Sequence, residues 1–359
     1  MVAPAAQNVA PATGAPPRRR RLGVRVLRAA VVVSMAIAAL ELGLRLAGYC
    51  TRVAVWYDPA IGFRAYPRQS RWMLSGEGAE RIARVHTNEL GTRGPVPPRA
   101  HQGGVLRVVT LGDSFTFGVG VADDDTYPVQ LQRRLAAERP AEVLNLSFPG
   151  WNVHNALCAY RELGRRYSPD VVVFGFSMDD MAPTDPGVRY TSNPVMRAIG
   201  ATGIGQAIIR HAIPRLPGHR REAPAASAEL RAAWRAQPLV ARRRPDLPRF
   251  AGLWESALRD LVALEREVRA DGARLLVLVF PRYDQVRDER NGVARGEHFS
   301  FPQDYVTRRL QGLGIEFRDL LPALVAAAEE PFGTVEYGHP SEHGYALIGD
   351  VAAEALRGR

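Results

Sequence analysis

Val105-Leu106-Arg107-Val108-Val109-Thr110-Leu111-Gly112-Asp113-Ser114-Phe115-Thr116-Phe117-Gly118 is an apolar, β-branched run that breaks at a glycine and continues into a serine-bearing turn. Such a run reads as a buried parallel strand, about Val105–Leu111, followed by a loop. Outward from it, comparable runs occur at Glu142–Ser147, Val171–Gly175, Arg274–Phe280 and Gly314–Phe317. Helical periodicity lies between and after them, near Tyr127–Glu138, Val153–Tyr167, Leu253–Asp271, Gln303–Leu313 and Leu320–Ala328. Strands that alternate with helices predict an α/β fold, a three-layer α/β/α arrangement around a five-stranded parallel sheet. In such sheets ligands sit beyond the carboxyl ends of the strands.

Those ends carry chemistry. After the first strand stands Gly112-Asp113-Ser114, after the second Pro149-Gly150-Trp151-Asn152, and after the third Ser177-Met178-Asp179-Asp180. Glu336-Tyr337-Gly338-His339-Pro340-Ser341 lies near the C-terminus. A serine hydroxyl is a weak nucleophile until a base takes its proton, and the base needs a carboxylate to fix its tautomer. Ser114 is therefore the candidate nucleophile, His339 the base and Glu336, three residues before it, the acid. His154, His298 and His343 also lie near loop ends and are the alternatives to His339. His86, His101, His211 and His219 read as surface residues.

On these motifs the chain resembles the SGNH (GDSL-type) hydrolases, over about residues 105–359 apart from one insertion. The resemblance implies a flavodoxin-like sheet, a Ser-His-acid triad, no cofactor, and an oxyanion hole made by the N–H of Ser114, the N–H of Gly150 and a side-chain amide from the third block. Two positions depart from the family pattern: Glu336 stands for Asp, and Asp179 stands for Asn. A carboxylate at Asp179 would repel an oxyanion unless protonated, and Asp180 beside it can raise one of the two pKa values. The apolar helix with Glu41 and Arg45, together with Thr87-Asn88-x-x-Gly91-x-Arg93-Gly94, resembles the membrane-anchored, polysaccharide-modifying members. The expected function is an esterase or O-acyltransferase acting on acyl, above all acetyl, esters of an extracytoplasmic glycan or lipid. A degenerate carbohydrate-binding or scaffolding protein on the same fold is the alternative.

The chain has 359 residues, is 46% hydrophobic and contains two cysteines, which excludes disordered and disulfide-scaffold classes. Its net charge of +10 would suggest a nucleic-acid partner, but residues 1–50 hold +6 and residues 181–250 hold +8, which leaves the rest at −4. No nucleic acid is expected. Residues 1–21 read as a disordered basic N-terminus and 22–47 as a transmembrane helix or signal anchor, favoured over a cleaved signal. Glu41 and Arg45 are four apart and can partly neutralise each other there. Residues 48–104 read as a linker and pre-domain segment. The arginine cluster before the helix puts the N-terminus in the cytoplasm and the body outside. The insertion at about 181–250 reads as a basic cap with a helix at Ala228–Ala236. Cys50 is not a lipidation site, and it and Cys158 read as independent. No metal is expected: His339-x-x-Glu342-His343 matches an inverted zinc motif but would need both histidines on one helix.

Overall fold

The computed structural model describes residues 18–46, 53, 55–58, 60–74, 81–182, 202–208, 247–292, 300–333 and 338–357. In chain order the helix α1 (Arg18–Leu46) precedes two antiparallel hairpins, β1 (Val55–Asp58) with β2 (Gly62–Ala65) and β3 (Ser70–Leu74) with β4 (Arg81–His86). Then follow β5 (Leu106–Gly112), α2 (Ser114–Phe117), α3 (Tyr127–Ala136), β6 (Ala141–Ser147), α4 (Val153–Glu162) and β7 (Val171–Phe176). The remainder comprises α5 (Gly203–Ala207), α6 (Pro248–Ala270), β8 (Arg274–Val279), α7 (Tyr283–Arg290), α8 (Ser300–Gly312), β9 (Phe317–Asp319), α9 (Leu321–Val325) and α10 (Glu342–Leu356).

Strands β5 to β9 form one parallel sheet in the order β6-β5-β7-β8-β9. Side chains alternate across a strand, so each strand feeds two cores. Val109, Leu111, Leu144, Leu146, Val172, Phe174 and Val277 meet Leu157 and Tyr160 of α4, Leu261 and Leu264 of α6 and Leu310 of α8. On the opposite face Val108, Val143, Val173, Leu276 and Leu278 meet Leu131 of α3, Leu324 of α9 and Ile348 of α10. Each fully buried Leu or Val stabilises the fold by about 1.5–3 kcal/mol. The chain leaves β5 for β6 on one side and returns to β7 on the other, so the sheet reverses direction beside β5. A crevice opens at the carboxyl end where a parallel sheet reverses in this way.

The five-strand parallel sheet and its three layers are as the sequence predicts. The differences have physical causes. The last strand is Phe317–Asp319 rather than Gly314–Phe317, because Gly314 has φ +66 and serves the turn before it. The helix expected over Val153–Tyr167 stops at Glu162, and a 3-10 turn over Gly164–Tyr167 replaces its end. Helix α6 starts five residues before the expected Leu253, since Pro248 fits the first turn, where no N–H is needed. Residues 48–104, the linker and pre-domain segment, contain the two hairpins, which bury Ile61, Ala65 and Val85 in the main core. Helices α7 and α10 were not expected.

Helix α1 begins at Arg18 rather than Leu22, so the arginine cluster forms its first turn. Its stretch Gly23–Leu44 is long and apolar enough to cross a membrane, with mean hydropathy 1.9. The Glu41 carboxylate accepts the N–H groups of Gly203 and Ile204 at 2.9 and 3.0 Å. Residues 1–17, Cys50, the Ala228–Ala236 helix and residues 183–201 and 209–246 of the expected cap lie outside the described residues. So do His211, His219 and His298.

Candidate active site

Ser114 opens α2, a single turn that begins where β5 ends. Asp113 caps it, with Oδ1 accepting the N–H of Phe115 at 2.9 Å, and Gly118 closes it with φ +84, a left-handed conformation that glycine adopts without strain. The turn is thus fixed at both ends. Phe115 and Phe117 point into opposite cores, which leaves the serine hydroxyl facing outward.

His339 reaches the serine from the other end of the chain. Its Nε2 lies 2.8 Å from Ser114 Oγ. The loop that carries it is pinned to residues 331–333: Gly333 N–H donates to His339 O at 3.0 Å, and Ser341 N–H donates to Pro331 O at 2.9 Å. Gly338, at φ +62, lets Tyr283 close in, since a Cβ there would lie 2.7 Å from the Tyr283 Cβ. The imidazole lies against Phe115, with ring centres 4.9 Å apart and planes tilted by 39°, and is 8% exposed. Burial lowers its pKa from the usual value to about 4, so the ring is neutral at pH 7 and able to accept a proton. Its Nδ1 is buried and has no hydrogen-bond partner among the described residues. His343 sits in α10, whereas His339 precedes the cap residue Ser341. The two histidines therefore do not share a helix face, as the zinc motif would require.

Ser177, which the sequence places in the third block without a role, joins the acids. Its hydroxyl donates to Asp113 Oδ2 at 2.8 Å and accepts the N–H of Asp179 at 3.1 Å, while its own N–H donates to Asp180 Oδ2 at 2.5 Å. Burial pushes the Asp113 carboxyl up to about 7, and burial together with Asp113 holds Asp180 well above the carboxylate range. Ser114 and His339 open on a cleft of about 660 Å³. One wall is Ser177, Met178 and Asp179; the other is Phe280, Arg282, Tyr283, Asp284 and Arg287.

The family model for GDSL-like lipases and acylhydrolases matches residues 110–347, a span that includes Ser114, the Asp179 loop and His339. The chain belongs to this family. Solved structures similar to this GDSL-family chain include a protein described as a lipolytic protein of the G-D-S-L family from Desulfitobacterium hafniense DCB-2, at 14% identity over 70% of this chain and 99% of that one, with a TM-score of 0.41. An acetylxylan esterase from Geobacillus stearothermophilus, as a catalytic mutant, has 13% identity over 73% and 98%, with a TM-score of 0.41. A lipase/acylhydrolase from Enterococcus faecalis has 15% identity over 70% and 95%, with a TM-score of 0.39. No curated protein matches the sequence.

Of the residues that the sequence singles out in this GDSL-family chain, the structure brings Ser114, His339 and Asp179 to one cleft. Gly150, at φ +84, lies in the exposed loop after β6 and is not among the residues that line this cleft. Glu336 lies outside the described residues. His154, an alternative base, is instead paired with Asp260 on the face between α4 and α6, 3.1 Å from its carboxylate and 3.7 Å from the free thiol of Cys158. The wall formed by Arg282, Tyr283 and Asp284 was missed. It follows directly on β8, so the strand-end rule applied to the first three strands would have found it at the fourth.

Proposed function

We propose that this protein is a membrane-anchored serine esterase or O-acyltransferase acting on small acyl esters, above all acetyl esters of a glycan outside the cytoplasm. The contact of Ser114 Oγ with a neutral His339 Nε2 carries the reading. His339 takes the hydroxyl proton as Ser114 attacks the acyl carbon, and the proton passes to the departing alcohol as the acyl-enzyme forms. Water, or the hydroxyl of an acceptor sugar, then takes the acyl group by the same steps in reverse. The N–H of Ser114 serves the oxyanion, and Glu336 accepts from Nδ1 of His339. The apolar stretch Gly23–Leu44 behind four arginines favours a cytoplasmic N-terminus and an external body.

Among the three aromatic residues of the cleft, Phe115 and Phe280 are buried, whereas Tyr283 is 39% exposed beside Arg282, Asp284 and Arg287. An exposed ring flanked by hydrogen-bonding side chains suits a sugar better than a long acyl chain. Tyr283→Ala is expected to raise KM for an acetylated oligosaccharide about 10-fold, the loss of roughly 1.4 kcal/mol of contact, with little change for nitrophenyl acetate. Equal effects on both substrates would remove Tyr283 from sugar binding.

The acid limb of the pH–rate profile tests Glu336. Without a carboxylate on Nδ1, burial alone places the limb at about 4. Activity requires the neutral ring, so it is lost as pH falls through that value. A carboxylate partner raises the imidazole pKa, and Glu336→Gln is expected to move the wild-type limb down to about 4. An unmoved limb would show that another group, or none, faces Nδ1.

An acyl-ester panel on the full chain in detergent, with and without an acceptor sugar, tests the whole reading. Turnover of acetyl esters supports it, and acyl transfer to the sugar selects the transferase. The second reading, a degenerate carbohydrate-binding protein, is favoured by the Asp179 carboxyl in the cleft. It requires glycan binding that survives Ser114→Ala and no turnover of any ester.

A further inference from the structure

The motif Thr87-Asn88-x-x-Gly91-x-Arg93-Gly94 has no part in the chemistry above, yet it ends beside the nucleophile. Asn88 folds the segment on itself: its Oδ1 accepts the N–H groups of Leu90 and Thr92 at 2.9 and 3.1 Å, and its Nδ2 donates to Gly94 O at 3.0 Å. This turn sends Arg93 inward, where its side chain is 0% exposed. Burying a guanidinium costs several kcal/mol unless it is paired and hydrogen-bonded. Its burial lowers its pKa, and Asp123 opposes that effect.

The partners of Arg93 show what the burial accomplishes. Nε donates to Asp123 Oδ1 at 2.7 Å, Nη1 to Gly118 O at 2.5 Å and Phe117 O at 3.2 Å, and Nη2 to Val121 O at 2.9 Å. Phe117 and Gly118 are the last residue and the cap of α2, the turn that Ser114 opens. The guanidinium plane also lies 5.5 Å from the centre of the Phe117 ring. A cation on the carbonyls at a helix C-terminus satisfies acceptors that a one-turn helix cannot satisfy itself. Asp123 is held in turn from β4, accepting from the His86 N–H at 3.1 Å. The hairpin segment and the nucleophile turn are therefore joined through one side chain.

We propose that Arg93 is a positioning residue for Ser114: it fixes the far end of α2, and with it the direction of the serine hydroxyl toward His339. This inference rests on the serine-esterase reading above. Lysine at this position keeps the charge but has a single nitrogen in place of the fork, so it cannot serve Asp123 and three carbonyls together. Misplacement of a reacting group by about 1 Å costs on the order of 10²-fold in rate, and a partial loss of the fork is expected to cost about 10-fold.

The experiment measures nitrophenyl acetate turnover by the full chain in detergent, per site titrated with a fluorophosphonate, for wild type, Arg93→Lys and Asp123→Asn. The expected result is an Arg93→Lys kcat about 10-fold lower per titrated site, with KM unchanged and Ser114 labelling slowed by the same factor. Asp123→Asn, which leaves the arginine in place but weakens its hold, is expected to show a smaller loss of the same kind and decides the matter if Arg93→Lys does not fold. A merely stabilising arginine would reduce the number of titratable sites and leave kcat per site at the wild-type value; that result in the folded variants overturns the proposal. Wild type with no turnover and no labelling overturns the esterase reading instead, so the two failures are distinct.

Discussion

Ser114→Ala is expected to lower acetyl-ester turnover by about 10⁶-fold and to abolish fluorophosphonate labelling. The size of the effect follows from the division of labour in the cleft. His339, neutral and 2.8 Å from the hydroxyl, has no other proton to move once the oxygen is gone. What survives is the contribution of binding and any oxyanion donors, which in hydrolases of this kind leaves about 10³–10⁴-fold over water. The fold should not notice the change. Ser114 contributes no buried apolar surface, and α2 keeps its Asp113 cap, its Gly118 end and Arg93. A melting temperature equal to wild type, together with lost turnover, is the expected pair of readings. Turnover within tenfold of wild type would remove Ser114 from the chemistry.

Asp179→Asn is expected to act in the opposite direction. Asp179 lines the same cleft as Ser114 and stands on the loop that Ser177 ties to Asp113. A developing oxyanion needs donors, and a carboxylate offers it acceptors. Asparagine at this position supplies an N–H in nearly the same volume, and one such donor is worth about 10²–10³-fold in kcat. We therefore expect turnover at neutral pH to rise about 10²-fold, with KM little changed. The backbone should tolerate the substitution, because the Ser177 hydroxyl meets the N–H of residue 179 and not its side chain. Identical pH–rate profiles for the two forms would place Asp179 outside the hole, and a fall in rate would mean that its carboxyl serves the reaction.

The sheet was legible in the sequence because its strands are buried on both faces and so appear as unbroken apolar runs: Val171–Phe176 has no exposed residue. Ser114 and His339 were legible because each follows a strand or precedes a helix within a short, distinctive motif. The hairpins were not legible, for an opposite physical reason. Their strands are four to six residues long and carry Arg64, Arg71 and Arg84 among their apolar positions. Those arginines disguise strands as loop, yet two of them lie against aromatic residues: Arg64 over Trp56 at 5.4 Å and Arg84 over Trp72 at 5.9 Å. The role of Ser177 was equally hidden, since a lone serine has no spacing signal, and it appears only when β5 and β7 are seen to be neighbours.

The hairpins also decide where this chain can be cut. Trp151 donates its indole N–H to Phe63 O at 2.6 Å, and Asn155 donates its side-chain amide to Ile61 O at 2.6 Å, so the loop and helix after β6 are latched to residues far earlier in the chain. A form cut ahead of Val53 keeps these latches and Arg93. One trimmed to the sheet at Val105 loses all of them and bares the apolar surface that Ile61, Ala65 and Val85 cover. The smallest unit that keeps the sheet covered is therefore about fifty residues longer than the sheet alone suggests.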